Sequence, residues 1–495
     1  MTPRARDLLL ALDQGSSSSR AILFDMSGRV VARAARPLRA RRPHPGWVEH
    51  DAEELARGMD ACLDAVLARL GPRDRVLAAG MAVQRSTVVF CDRASLRPAA
   101  AAPSWMDGRA GAVVEALGAR QDEIHSLSGL YATPYYSAPK IRWFLDHHAK
   151  VRALAAAGRL LCAPVSTYLA ARLTRGEMVA VDPTVAQRTL LLNLDSGDWD
   201  ERLLSLFGLK RELLPSLTVS GGDWGVIRRK GRVIPLRASL GDQQAAAMGL
   251  GAAREGDAVI NYGTGAFVLR HIGAAPRSAP GLLLAPAASI SGERGYFLEG
   301  TVHAAATTFE WLSENLGLLD GPEGLDKAWG ASRRRVWLLP ALGGLGAPRW
   351  DYETKTALYG LDADTRPADL ARAAAEGLCQ LVADAADAMA AAGAPLTRAR
   401  TAGGLSRSSR LAQFQADVLG APLERLADFE ATALGAASLA ARAAGISDAG
   451  KLFGARAEKA FSPRLDEAAR TRLRAQWSAF VDANRRLGRE LPASA

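Results

Sequence analysis

An aspartate stands at the end of the first apolar run, Leu8-Leu-Leu-Ala-Leu12, and opens the turn Asp13-Gln-Gly-Ser-Ser17. Hydroxyls and exposed amides in such a turn can cradle phosphoryl oxygens, and a carboxylate at a strand end can hold magnesium directly or through water. A plain hairpin turn would use the same residue types, so this loop alone leaves both readings open. A second turn, Tyr262-Gly-Thr-Gly265, supplies a matching hydroxyl, and two such loops facing each other suggest a nucleotide held between two halves of the chain. The pair Gly403-Gly404, after the strand-like Ala399-Arg-Thr-Ala402, offers bare backbone to a flat adenine or ribose. Asp242, in Gly241-Asp-Gln-Gln244, is placed to accept a proton from a hydroxyl attacking a phosphoryl group; its ordinary structural alternative is a helix N-cap.

Other motifs fail. No G-x-G-x-x-G opens a helix after a strand. The stretch Gly445-Ile-Ser-Asp-Ala-Gly450-Lys451-Leu452 resembles a P-loop but has leucine where a Ser or Thr hydroxyl should bind magnesium. The 7 histidines include no H-E-x-x-H, and Cys62, Cys91, Cys162 and Cys379 form no C-x-x-C, which argues against a zinc site or a disulfide framework.

The elements that must position these residues follow from hydrophobic patterning. The runs 8–12, 20–24 and 29–32 predict a three-stranded meander, and the apolar runs 76–83 and 87–90 are expected to extend its sheet. Alanine and leucine at three- and four-residue spacing predict a helix over 52–70. The pattern restarts near residue 250, with a strand at 257–260, the glycine turn and a strand at 266–270. Helices are expected at about 367–392, 406–419 and 431–444, each closed by a glycine at 393, 420 and 445. This is an α/β chain of two similar halves, divided at about residue 249.

Composition narrows the partners. The 495 residues, 48% hydrophobic and 23% charged, fit a globular protein and argue against disorder, fibres and membrane spans. The net charge of +10 invites an anionic partner, yet nearly all of the 62 basic residues are arginine in an alanine-rich chain, a sign of coding bias. The basic runs 228–230 and 333–335 lack interleaved stacking aromatics, so they read as solvated surface and no nucleic-acid partner is expected. The apolar run before Asp13 is too brief for a signal peptide or a span, and a cytoplasmic location is expected.

Taken in order, the segments Asp13-Gln-Gly-Ser-Ser-Ser-Ser-Arg20, Pro45-Gly-Trp-Val-Glu-His-Asp51, Gln84-Arg85, Tyr136-Ser-Ala-Pro-Lys140-Ile-Arg-Trp143, Gly241-Asp-Gln-Gln-Ala245, Tyr262-Gly-Thr-Gly-Ala-Phe267, Leu298-Glu-Gly300 and Gly344-Leu-Gly-Ala-Pro348 resemble the FGGY carbohydrate kinase family, and within it the glycerol kinases. The resemblance spans essentially the whole chain. It implies two ribonuclease H-like α/β domains of the actin and sugar-kinase superfamily, 1–249 and 250–495, with the active site in the cleft between them. It implies an ATP site of Ser16, Ser17, Arg20, Gly263, Thr264, Ala306, Glu310, Gly403 and Gly404, with Asp13 near Mg2+. It makes Asp242 the general base and brings the acceptor to Arg85, Ser86, Trp105, Tyr135, Asp242, Gln243 and Phe267.

The expected reaction is transfer of the ATP γ-phosphoryl group to a primary hydroxyl of glycerol or a related small polyol or sugar. The alternatives are a kinase for a larger polyol or ketose (pentitol, tetritol or pentulose), or a non-catalytic ATP-binding sensor. Whether the chain forms a homo-oligomer is left open. Departures from the glycerol kinase pattern bear on substrate and nucleotide contacts: Ser86 and Met106 replace a glutamate and a glutamine, and Ser166 replaces an aspartate found in many relatives. Ala402, Ala306 and Glu310 replace an aspartate, a glycine and a glutamine.

Overall fold

The structure, a computed structural model, describes residues 5–290, 292–319, 324–426, 430–446 and 457–491. The P-loop-like stretch lies, from residue 447 on, outside the described residues. Leu8 to Leu12 are all 0% exposed, as a strand buried on both faces requires. The strand that they form, Asp7–Gln14, pairs antiparallel with Ser18–Asp25, which pairs antiparallel with Val30–Pro37. On its other side it runs parallel to Arg75–Val83, and that strand runs parallel to Arg232–Gly241.

The expected meander is therefore present, but the second extension is not. Strand Val88–Asp92 leaves this sheet and pairs with Leu160–Pro164 in a separate two-stranded sheet. Ser86 lies between the two apolar runs at φ 64°, and a left-handed residue cannot continue an extended path.

The later half repeats the arrangement. Ala258–Tyr262 pairs antiparallel with Ala266–His271, which pairs antiparallel with Tyr296–Val302. Ala258–Tyr262 also runs parallel to Ala399–Gly403, itself parallel to Leu423–Leu426. Numbering the five shared strands of each sheet along the chain, both have the order third, second, first, fourth, fifth.

The chain forms two compact units. The first contains residues up to Gly251, the segment Ala285–Tyr296 and the segment beginning at Glu430; the second contains Ala252–Leu284 and most of the remainder. Helix Ala431–Ala443 belongs to the first unit and lies against helix Asp242–Gly249 and strand Arg75–Val83. Glycine permits that approach: a Cβ on Gly249 would lie 2.0 Å from the Ala431 carbonyl oxygen, and one on Gly435 1.8 Å from that of Ala245.

Gly393, Gly420 and Gly445 follow their helices at φ 77°, 66° and 74°, as expected. The helix expected from 406 begins at Ser409, because Gly404–Arg407 forms a 3-10 turn and the Ser408 hydroxyl accepts the Leu411 amide as an N-cap. The basic runs are surface, but not merely solvated. Arg229 pairs with Asp60 and Asp64, and Arg334 with Asp362 and Asp364. All four cysteines are buried and free. No helix among the described residues is long and apolar enough to cross a membrane.

Candidate active site

In the first unit, strand register gathers the chemistry. Gln14 and Gly241 both pair with Val83, so three strands end abreast, and the residues that follow them carry the turn at 15–17, Arg85 and Asp242. Ligands of open α/β sheets bind at such carboxyl ends. Arg85 Nε lies 3.4 Å from Asp242 Oδ1, and Arg85 Nη1 donates to Gln244 Oε1 at 3.4 Å. Asp242 is not the N-cap. It is the first residue of its helix, Gly241 takes the cap position, and the carboxylate accepts the Gln243 amide at 2.8 Å. Its side chain stays 30% exposed.

The backbone beneath Asp242 is held from a buried chain. The Gly241 amide donates to Thr184 Oγ1 at 2.8 Å, and the hydroxyls of Thr184 and Ser220 each donate to Asp182 at 2.7 Å. Burial pushes Asp182 up to about 6, against the lowering effect of those two hydroxyls.

Asp13 lies at the hairpin, directly opposite Arg20. Burial pushes its carboxyl up to about 6; Arg20 opposes the shift, and the negative fields of Asp242 and Glu430 add to it. Arg20 ion-pairs with Asp13 and reaches Glu430 Oε2 at 2.5 Å with its other terminal nitrogen. Sequence reasoning missed Glu430, which is distant in the chain and lies in no motif. Gly15 donates to the Ser18 carbonyl at 3.0 Å, so the loop is a hairpin turn that leaves Ser17 exposed and Ser16 half-buried. Tight turning does not require glycine there: an added Cβ would lie 3.5 Å from Ser18 O, an ordinary contact.

For Mg2+, no group of three or more His, Cys, Asp or Glu residues among those described could hold a metal ion. Mg2+ typically takes one or two carboxylates and completes its shell with phosphates and water, which fits a site built on Asp13.

Two hydrogen bonds tie down the segments that carry the expected acceptor residues of this unit. The Trp105 amide donates to Thr87 Oγ1 at 3.1 Å, and Ser137 Oγ, two residues after Tyr135, donates to the Ser86 carbonyl at 3.2 Å. Trp105 and Tyr135 are 44% and 45% exposed, unusual for large aromatic side chains and suited to packing on a carbon skeleton. Gln243 Oε1 is buried with no hydrogen-bond partner among the described residues. Phe267 belongs to the second unit, half-buried on strand Ala266–His271.

The second unit assembles the remaining loop residues. The Gly263 amide donates to Gly265 O at 2.9 Å, and the amides of Ala305 and Ala306 donate to the carbonyls of Thr264 and Gly263 at 2.9 and 3.1 Å. Ala306 thus begins helix Ala306–Glu314 against the glycine turn, with Glu310 exposed one turn later. Tyr262 pairs with Gly403, which brings the glycine pair to the same sheet end. Gly403 sits at φ 97°, and a Cβ there would lie 2.1 Å from Tyr262 O. A Cβ on Gly404 would meet nothing within 4 Å, so its face is open.

The models of the N-terminal and C-terminal domains of the FGGY family of carbohydrate kinases match residues 8–249 and 258–444. A glycerol kinase of Polaromonas naphthalenivorans is 39% identical over 491 residues, covering 96% of this chain and 98% of that protein. One from Thermus brockianus is 40% identical, covering 96% and 98%. Among solved structures, Plasmodium falciparum glycerol kinase with ADP aligns with a TM-score of 0.91 and 26% identity, covering 97% of this chain and 98% of that one.

Proposed function

This chain belongs to the FGGY family of carbohydrate kinases, and from that premise we propose that it transfers the γ-phosphoryl group of ATP to a primary hydroxyl of glycerol or a closely related small polyol. The observation that carries this reading is the pairing of Arg85 with Asp242 at the strand ends beside Asp13. Arg85 binds acceptor hydroxyls and fixes the one that attacks, and Asp242 takes its proton as the new P–O bond forms. The exposed faces of Trp105 and Tyr135 take the carbon skeleton, and Gln243 Oε1, buried with no hydrogen-bond partner among the described residues, accepts a hydroxyl hydrogen bond. In the first unit, Ser16, Ser17 and Arg20 meet the phosphates; in the second, Gly263, Thr264, Ala306 and Gly403-Gly404 meet the rest of the nucleotide, with Glu310 nearby on its helix. Mg2+, held by Asp13, would supply neutralisation of phosphate charge.

A larger polyol or ketose acceptor, and a non-catalytic ATP sensor, are not favoured, given near full-length likeness to glycerol kinases. The test is coupled ADP release by purified protein with glycerol, tetritols, pentitols and ketoses. Selective stimulation by glycerol or a near neighbour supports the reading; no stimulation by any acceptor overturns it.

A further inference from the structure

Lys140 is 0% exposed. It lies on helix Ser137–His147, where an apolar residue would be the cheaper occupant of a dry position. Its ammonium donates to two backbone carbonyls, Ser86 O at 3.1 Å and Ser104 O at 2.6 Å. These carbonyls belong to the residues just after Arg85 and just before Trp105. The charged groups that act on it are Asp107, which favours the ammonium, and Arg109, which opposes it; burial is the largest effect and draws Lys140 down to about 7. Asp107 is itself committed to Arg109 and to the Val48 amide, so the lysine acts chiefly on backbone.

The Ser86 carbonyl takes a second donor, Ser137 Oγ at 3.2 Å, and Ser86 holds a left-handed backbone at φ 64°. Such a conformation in a residue other than glycine persists only where its surroundings over-determine it. The same two segments are also joined by Thr87, whose Oγ1 accepts the Trp105 amide and donates to Gln84 Oε1 at 3.2 Å. Arg85 is hemmed in as well: a Cβ on Gly241 would lie 2.7 Å from Arg85 Cδ.

We propose that Lys140 is a positioning residue for phosphoryl transfer, tying the Ser86 and Ser104 carbonyls together so that Arg85 is aimed at Asp242 and Trp105 is set beside it. This role rests on the acceptor site assigned above. It differs from core packing because the lysine would govern acceptor binding and alignment without governing nucleotide binding.

The test compares wild type with Lys140→Met and Ser137→Ala by steady-state kinetics and by amide hydrogen exchange over 84–88 and 103–107. Lys140→Met is expected to raise the polyol KM at least tenfold and lower kcat at least tenfold while the ATP KM stays within twofold. Exchange should quicken in those two segments alone. Ser137→Ala should shift the same quantities in the same direction by a smaller factor, and it answers the question if Lys140→Met does not fold. Unchanged kinetics per folded molecule, or equal rises in polyol and ATP KM, would overturn the proposal. Faster exchange in both segments of the variants, with a wild-type chain that phosphorylates no polyol, would leave the tie intact and refute the assigned reaction instead. Unchanged exchange in both variants would refute the tie whatever the kinetics.

Discussion

Arg85 and Asp242 stand 3.4 Å apart because their strands end side by side, with Val83 paired to Gly241. The ion pair is partly open to solvent on the aspartate side, so a hydroxyl can replace part of it. Asp242→Asn keeps the size and removes the proton acceptor. Turnover should fall by about 10²–10⁴-fold with acceptor binding largely kept. Near-normal kcat for a folded variant would remove Asp242 from the role of base.

Asp13 is a buried carboxylate whose first partner is Arg20. Chelator-treated protein should show no polyol-dependent ADP release, and added Mg2+ should restore it. Asp13→Ala should raise the Mg2+ concentration for half-maximal rate by at least about tenfold, the scale on which metal-site substitutions act. A variant with an unchanged Mg2+ requirement would place the metal on other residues.

The resemblance to glycerol kinases sets Ser86 at a position where a glutamate is expected. A carboxylate acceptor contributes about 1.5–3 kcal/mol per hydrogen bond, against about 1 for a neutral hydroxyl. Ser86→Glu should therefore raise kcat/KM for glycerol relative to pentitols by about fivefold or more. If the ratio is unchanged or falls, this position does not set specificity.

Gly403 and Gly404 are adjacent but do different work. Gly403→Ala places a Cβ 2.1 Å from Tyr262 O at φ 97°, and should cost at least about 2 kcal/mol of stability. Gly404→Ala meets nothing within 4 Å, so the melting temperature should hold while the ATP KM rises. Equal loss of stability in both, or an unchanged ATP KM for Gly404→Ala, would detach this pair from the nucleotide.

His50 is 0% exposed, and neither ring nitrogen has a hydrogen-bond partner among the described residues; burial draws it down to about 4. Its folded value lies below the unfolded one, so the unfolded chain binds the extra proton between about pH 6.5 and 4. This contribution to stability is complete above pH 6.5 and declines as pH falls to 4, by about 2–4 kcal/mol. Asp13 and Asp182, both raised to about 6, contribute the opposite slope over part of that window. Denaturant titrations of wild type and His50→Leu at several pH values isolate the histidine: on acidification through this window the wild type should lose stability relative to His50→Leu. A difference independent of pH would mean that the ring is not buried neutral.

Much of the local structure could be read from the sequence because its signals are local. Turn residues, strand ends and glycines at helix ends carry their own backbone requirements, which is why the meander at 7–37, the strand–turn–strand of its repeat at 258–271 and the left-handed Gly393, Gly420 and Gly445 were legible, whereas the third strand of the repeat, Tyr296–Val302, was not. The strand 88–92 was legible as a strand but not in its partner, since apolar content does not specify which edge it meets. The start of the helix expected from 406 was missed by three residues, because Gly404–Arg407 forms a 3-10 turn in which the Ser406 hydroxyl donates to Gly403 O at 2.7 Å.

The sequence by itself determined the residue types: a carboxylate at each of two strand ends, hydroxyl and glycine turns, and the family to which their order belongs. Only the tertiary structure decided what each charge faces. Arg20 bridges Asp13 to Glu430, Arg85 turns toward Asp242, and Lys140 spends its donors on Ser86 and Ser104. Those partners lie far apart in the chain. A buried charge takes whichever counter-group the packed strands and helices bring within hydrogen-bond reach, and sequence spacing carries no record of that distance.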